Sequence, residues 1–126
     1  MNILFPVALG GAIGALARYA VISASGHWLS LSFPYGTLAV NILGSLLLGV
    51  FIEGSALWWS GSESLRAFLV VGVLGAFTTF SAFSLDVANM MTRGETLAAL
   101  FYALASVVFS VGALFLGMAG MRAFHA

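Results

Sequence analysis

Most of the chemistry in this chain is concentrated in Gly72-Val73-Leu74-Gly75-Ala76-Phe77-Thr78-Thr79-Phe80-Ser81-Ala82-Phe83-Ser84. Two glycines, a Thr-Thr pair and two serines lie among three phenylalanines, at mid-depth of an apolar segment. Ser and Thr hydroxyls bond nearby backbone and compete with the helical ladder, and glycine loosens it further. In lipid a broken ladder persists only where it is buried in protein or lines a wet cavity. Discontinuous helices at that depth are where ion and solute sites are built, so an ion or small solute is expected here.

Two further polar sets recur at four-residue spacing, which places each on one helical face: Thr37, Asn41 and Ser45, and Tyr102, Ser106 and Ser110. A hydroxyl in a span can bond its own helix and do no more than tighten packing. Asn41 is different, because its two donors and one acceptor cannot all be met by its own backbone, so it needs an inward partner. Phe80 and Phe83, three apart, flank one face; their ring edges carry partial positive charge. The four carboxylates, Glu53, Glu63, Asp86 and Glu95, all fall near predicted span ends or loops. A cation path ordinarily shows acidic rings, so a track of hydroxyls, one amide and ring edges points to an anion or a neutral solute. Arg18, near the end of the first span, either snorkels to the interface or draws anions to an entrance. Asp86 is expected at the other rim, with an arginine as its natural partner.

The elements that must position these groups are membrane spans. Of 126 residues, 62% are hydrophobic and 6% charged, where a soluble domain carries about a quarter charged. A span needs about 20 apolar residues, so residues 1–126 read as one all-α domain of four transmembrane helices, at about 3–23, 35–58, 65–91 and 96–121, with the third interrupted. Gly10 and Gly14 give span one a small-residue face for close helix contact. Residues 23–34, with His27 and Trp28, read as a polar aromatic loop, and the Trp58–Trp59 pair as an interfacial exit. Ala15-Leu16-Ala17 imitates a cleavage site, but only Met1 and Asn2 precede the apolar run and no positive charge does; the segment is expected to be the first span.

There is no cysteine and no lysine, and net charge is zero, which argues against thiolate metal sites and against a nucleic-acid surface. The arginines divide evenly: Arg66 and Arg122 on one side, Arg18 and Arg93 on the other. Orientation follows a Lys/Arg excess; without one, either another feature fixes it, or the chain inserts both ways and forms an antiparallel pair. A second copy would also supply the missing half of the inverted repeat common in transporters.

Three motifs together resemble the CrcB/Fluc family of bacterial fluoride channels: Gly11-x-x-Gly14-Ala15-x-x-Arg18-Tyr19, Gly36-Thr37-Leu38-x-Val40-Asn41-x-x-Gly44-Ser45, and Gly72-x-x-Gly75-x-x-Thr78-Thr79-Phe80-Ser81-x-Phe83-Ser84. The match runs through all four spans in order. The resemblance implies an antiparallel, dual-topology homodimer in the bacterial inner membrane, giving passive fluoride export and no enzymatic activity. It implies that Asn41, Phe80 and Phe83 line the pore, that Thr79 and Ser81 sit beside them, and that Tyr102, Ser106 and Ser110 form a polar rail. It implies a structural sodium ion held by the backbone carbonyls of Gly75 and Thr78 from both subunits. Ala82 departs from the family pattern, which has threonine there, and removes one hydroxyl. Rival readings are weaker. A small dual-topology multidrug exporter needs a carboxylate deep in span one, which has none. A membrane enzyme is poorly served by His27 and His125, neither within a span nor beside a nucleophile. An accessory subunit, whose polar faces only pack against partners, predicts no transport by the purified protein.

Overall fold

The computed structural model describes residues 2–29, 32–58 and 61–125, with side chains at 2–29, 32–56 and 61–124. The expectations for the Trp58–Trp59 pair and for the tail at His125 and Ala126 lie outside those side chains. Among the described residues the secondary structure is helical throughout: α1 Leu4–Trp28, α2 Tyr35–Trp58, α3 Glu63–Arg66, a π-helical segment Ala67–Leu74, α4 Gly75–Phe77, α5 Phe80–Thr92 and α6 Thr96–His125. Four stretches are long and apolar enough to cross a membrane: Leu4–Trp28, Tyr35–Ala56, Glu63–Thr92 and Thr96–Phe124. At up to 30 residues they exceed the minimum for a bilayer core, which tilt accommodates.

The first connection is shorter than the sequence suggested. Helix α1 continues through Ser23, Ser25 and His27 to Trp28. None of those residues breaks a helix, and the added turns gain cover from α2. A Cβ at Gly36 would lie 2.8 Å from Ile22 Cα and 3.1 Å from Ser25 Oγ, so the two backbones meet there. Helix α3 starts at Glu63, where the Ser62 hydroxyl accepts from the Leu65 N–H at 3.1 Å and caps the first turn. The α5–α6 turn passes through Gly94 at φ +81°, a left-handed conformation that glycine adopts without Cβ strain.

Two seams organise the packing. Helix α2 lies along α6, and α1 lies along the π segment. At the first seam a side chain on Gly117 would run into the Leu46 carbonyl and the Val50 amide. At the second, a Cβ on Gly72 would lie 2.8 Å from Gly10 Cα. Lipid gives apolar helices no hydrophobic reason to associate, so close backbone approach at small residues is what draws them together. The first seam is closed at one end by Arg122, whose Nε and Nη2 donate to Glu53 Oε2 and Oε1, each at 3.1 Å. Beside it, Arg66 Nη1 donates to Ser55 Oγ at 2.9 Å, tying α3 to α2.

The buried centre is small: Val40, Met90 and Tyr102 are the largest side chains almost wholly out of contact with solvent. Large apolar residues on the outside, such as Phe101, Phe115 and Leu116 on α6, suit a lipid surroundings rather than water. The seam can be tested by paired substitutions. Gly117→Ala drives a methyl into α2 backbone and should lower stability in detergent by about 1–3 kcal/mol. Gly120→Ala meets nothing within 4 Å and should be neutral, or stabilising by up to about 1 kcal/mol; thermal unfolding of the purified variants reads both.

Candidate ion pathway

The site is built around two residues whose backbone is not helical. Helix α4 ends at Phe77; Thr78 is extended at φ −86°, ψ 159°, and Thr79 at φ −154°, ψ 120°. β-Branched residues are at ease in that region, and threonine is a good helix N-cap. The Thr79 hydroxyl accepts from the Ala82 N–H at 3.0 Å and starts α5. The Thr78 N–H and hydroxyl both turn back to the Leu74 carbonyl, at 3.2 and 3.1 Å.

Asn41 of α2 meets the main chain of Thr79 twice. Its Oδ1 accepts from the Thr79 N–H at 2.8 Å, and its Nδ2 donates to the Thr79 carbonyl at 3.0 Å. This is the inward partner that Asn41 requires, and it is backbone rather than side chain. In a continuous α-helix each N–H donates four residues back, so the Thr79 N–H would serve the Gly75 carbonyl and the Ala82 N–H the Thr78 carbonyl. Both N–H groups instead go to side-chain oxygens, on Asn41 and Thr79. The Gly75 and Thr78 carbonyls thereby lose their ladder donors.

A cavity of about 280 Å³ opens beside this pair, lined by Asn41, Ser45, Thr78, Thr79, Phe80, Phe83, Ser106, Val107, Ser110 and Val111. The Phe80 and Phe83 ring centroids are 5.4 Å apart, with planes at 44°. Phe80 is 77% exposed, at the lip of the cavity. The hydroxyl oxygens of Ser106 and Ser110 are buried and have no hydrogen-bond partner among the described residues. Asn41 has a second amide hydrogen beyond the one given to Thr79. The cavity therefore offers donors to an incoming group, and no carboxylate lines it among the described residues.

Of the residues picked from the sequence, Asn41, Thr79, Phe80, Phe83, Ser106 and Ser110 come together here, with Thr78 and Ser45. The others lie elsewhere. Ser81 is exposed and reaches the Thr79 hydroxyl at 3.3 Å. Tyr102 is 0% exposed, lies behind Phe83 with ring centroids 5.2 Å apart, and donates its hydroxyl to Asp86 Oδ2 at 2.9 Å. Thr37 is buried and lines a different cavity, with Asp86. Arg18, half-buried on α1, lines none of these cavities. Gly75 is exposed within α4. Among the described residues Asp86 bonds no arginine; Arg93, just past the end of α5, bonds the Ser32 carbonyl at 3.1 Å and Glu95 Oε1 at 2.9 Å. The Asp86–Tyr102 pair was not legible in the sequence: the two residues sit on different helices, and no periodicity joins them.

The fold and cavity define a multi-pass membrane protein with an open, largely apolar cavity between its helices that carries a few polar groups. The family model for CrcB-like protein, Camphor Resistance (CrcB), matches residues 5–118, and the chain belongs to this family. It is 49% identical over 122 residues to a protein of Rhodospirillum centenum named fluoride-specific ion channel FluC, covering 97% of each chain. A protein of the same name from Chelativorans sp. is 52% identical over 115 residues, covering 91% of this chain and 92% of its own. One from Agrobacterium fabrum is 50% identical over 113 residues, covering 90% of each.

The Asn41 clamp can be measured without any transport assay. Asn41→Leu leaves the Thr79 N–H and carbonyl unpaired, and should cost about 2 kcal/mol or more in detergent unfolding. An unchanged unfolding midpoint would show that Thr79 finds other partners.

Proposed function

We propose that this protein is a fluoride-selective channel that lets fluoride leave the cell passively across the bacterial inner membrane, lowering cytoplasmic fluoride. The observation that carries the reading is the pair of buried, unpartnered hydroxyls, Ser106 and Ser110, facing Asn41, Phe80 and Phe83 across one cavity. A buried polar group without a partner is costly, so such groups persist where a ligand or water completes them. Fluoride is small and strongly hydrated, and stripping its water is expensive unless donors replace it. Hydroxyl and amide donors, and the positive edges of two phenyl rings, supply that replacement. The absence of a fixed cation in the cavity lining keeps the binding weak enough to release, as conduction requires. The similarity to proteins named fluoride-specific ion channels, at about 50% identity over nearly the whole chain, supports the same substrate. The protein carries an ion and is not an enzyme.

The working form in this reading is an antiparallel homodimer, with the two copies inserted in opposite senses, and the interruption at Thr78–Thr79 is its functional centre. The even division of arginines supports that arrangement. A structural sodium ion at the interruption fits the donor set present. The Gly75 and Thr78 carbonyls have lost their ladder donors, and freed carbonyls of unwound spans are suitable sodium ligands. No group of three or more His, Cys, Asp or Glu side chains among the described residues could hold a metal instead. Bound there, sodium would give the freed carbonyl oxygens a positive charge to coordinate in a dry setting.

Two experiments test these statements. Liposomes holding only this purified protein should release fluoride and retain chloride. Asn41→Asp places a carboxylate in the track and removes a donor from Thr79, and should cut fluoride efflux by more than about tenfold through like-charge repulsion. Absence of efflux of either ion from assembled protein would instead favour an accessory subunit. Exchange of sodium for a large organic cation should weaken assembly, and Gly75→Val should reproduce that loss with sodium present. Normal assembly and unchanged sodium dependence in Gly75→Val would remove Gly75 from the ion site.

A further inference from the structure

Beyond Phe83 and Ser106 the ladder of hydroxyls on α6 ends at Tyr102, and the far side of Tyr102 is occupied by Asp86. Asp86 lines two further cavities, of about 160 Å³ and about 120 Å³. Ser25, Phe33 and Pro34 border the first; Ser32, Asn89 and Arg93 border the second. Both lie toward the α1–α2 and α5–α6 connections, so Asp86 stands between the Asn41 cavity and that end of the molecule. A carboxylate in that place opposes an anion. Arg93 borders the second of these cavities with Asp86, but its hydrogen bonds go to the Ser32 carbonyl and Glu95, so among the described residues no arginine bonds the carboxylate. Among the described residues its hydrogen-bond partner is the Tyr102 hydroxyl, fully buried and seated between Phe83 and Phe33.

We propose that the Tyr102 hydroxyl screens Asp86 from the permeating anion, so that the pair works as one unit at the loop end of the pathway. The inference rests on the fluoride-channel reading. A phenol has one hydrogen to give. Given to Asp86, it satisfies the carboxylate and is withheld from the anion, so Ser106 and Ser110 are the donors of the track and Tyr102 is a positioning residue. The same bond joins α5, which carries Phe80 and Phe83, to α6, which carries the two serines. Thr37, buried on α2, borders the same small cavity as Asp86.

The screening role has a signature that a packing role lacks. Tyr102→Phe keeps the ring but leaves the carboxylate bare beside the track, and should slow fluoride efflux from liposomes at least about tenfold. Asp86→Asn removes the charge, and should leave efflux within about threefold of the parent. The double variant, Tyr102→Phe with Asp86→Asn, should recover to near the rate of Asp86→Asn alone. If Tyr102→Phe fails to assemble, assembly and efflux restored in the double variant would equally support screening. A double variant as slow as Tyr102→Phe, or failure of both to assemble, would make the hydroxyl a packing requirement and overturn the proposal, as would unchanged efflux in Tyr102→Phe. Parent protein that releases no fluoride would sink the channel reading itself. Thermal unfolding, which needs no transport, would then still show whether Asp86→Asn relieves the loss caused by Tyr102→Phe.

Discussion

Everything in this molecule depends on what becomes of the backbone groups at Thr79. A peptide N–H and C=O inside a membrane have no water to fall back on, so a span cannot leave its helical ladder unless something else takes up those groups. One asparagine does so here, accepting from the N–H and donating to the C=O of the same residue. That single amide makes an extended pair tenable between α4 and α5. It also ties the position of the pair to α2, so anything that moves α2 moves the cavity. The tight seam between α2 and α6, with Gly117 pressed against the Leu46 carbonyl, then fixes the opposite wall, where Ser106 and Ser110 stand.

The cavity lining is largely apolar, and its few polar groups are of one kind. Its fixed groups are dipoles: hydroxyls, an amide, the edges of two rings. No ionised side chain lines it among the described residues, and two ion pairs, Arg122 with Glu53 and Arg93 with Glu95, lie elsewhere. Dipoles attract an anion less strongly than an arginine would, and they can be left behind. The departure at Ala82 fits within this scheme, since Ala82 contributes its N–H to the Thr79 cap and not a hydroxyl to the lining.

Much of this was legible in the sequence, for identifiable reasons. Four apolar stretches of sufficient length admit few other folds, and four-residue spacing brought Ser106 and Ser110 onto one face. Asn41 announced its own need for a partner because an amide cannot be satisfied by its own helix. Other features were illegible. The end of α1 is one: Ser23, Ser25 and His27 look like loop residues, but none of them breaks a helix, and α2 approaches closely at Ile22 and Ser25. Tyr102 shares the serines' spacing but not their role, because Asp86, on another helix, claims its hydrogen. Arginine seemed the natural partner for Asp86, and only the reach of Arg93 toward Ser32 and Glu95 shows otherwise.

The π-helical turns at Ala67–Leu74 left no mark in the sequence at all, since eight apolar residues read equally well as α-helix. Their effect is one of phase. A π-helix is wider than an α-helix and occurs frequently at functional sites, and each residue of an ordinary helix advances about 100° around its axis. A segment wound at a different pitch therefore rotates all that follows, like a vernier set between two shafts. A helical wheel drawn straight through from Glu63 would aim Thr78 and Thr79 in the wrong direction. The angle at which the pair meets Asn41 is thus set upstream of the pair itself, in a segment whose last residue, Leu74, holds Thr78 through its carbonyl. Gain or loss of a single residue in that plain apolar stretch would change the bearing of the site without altering any residue in it.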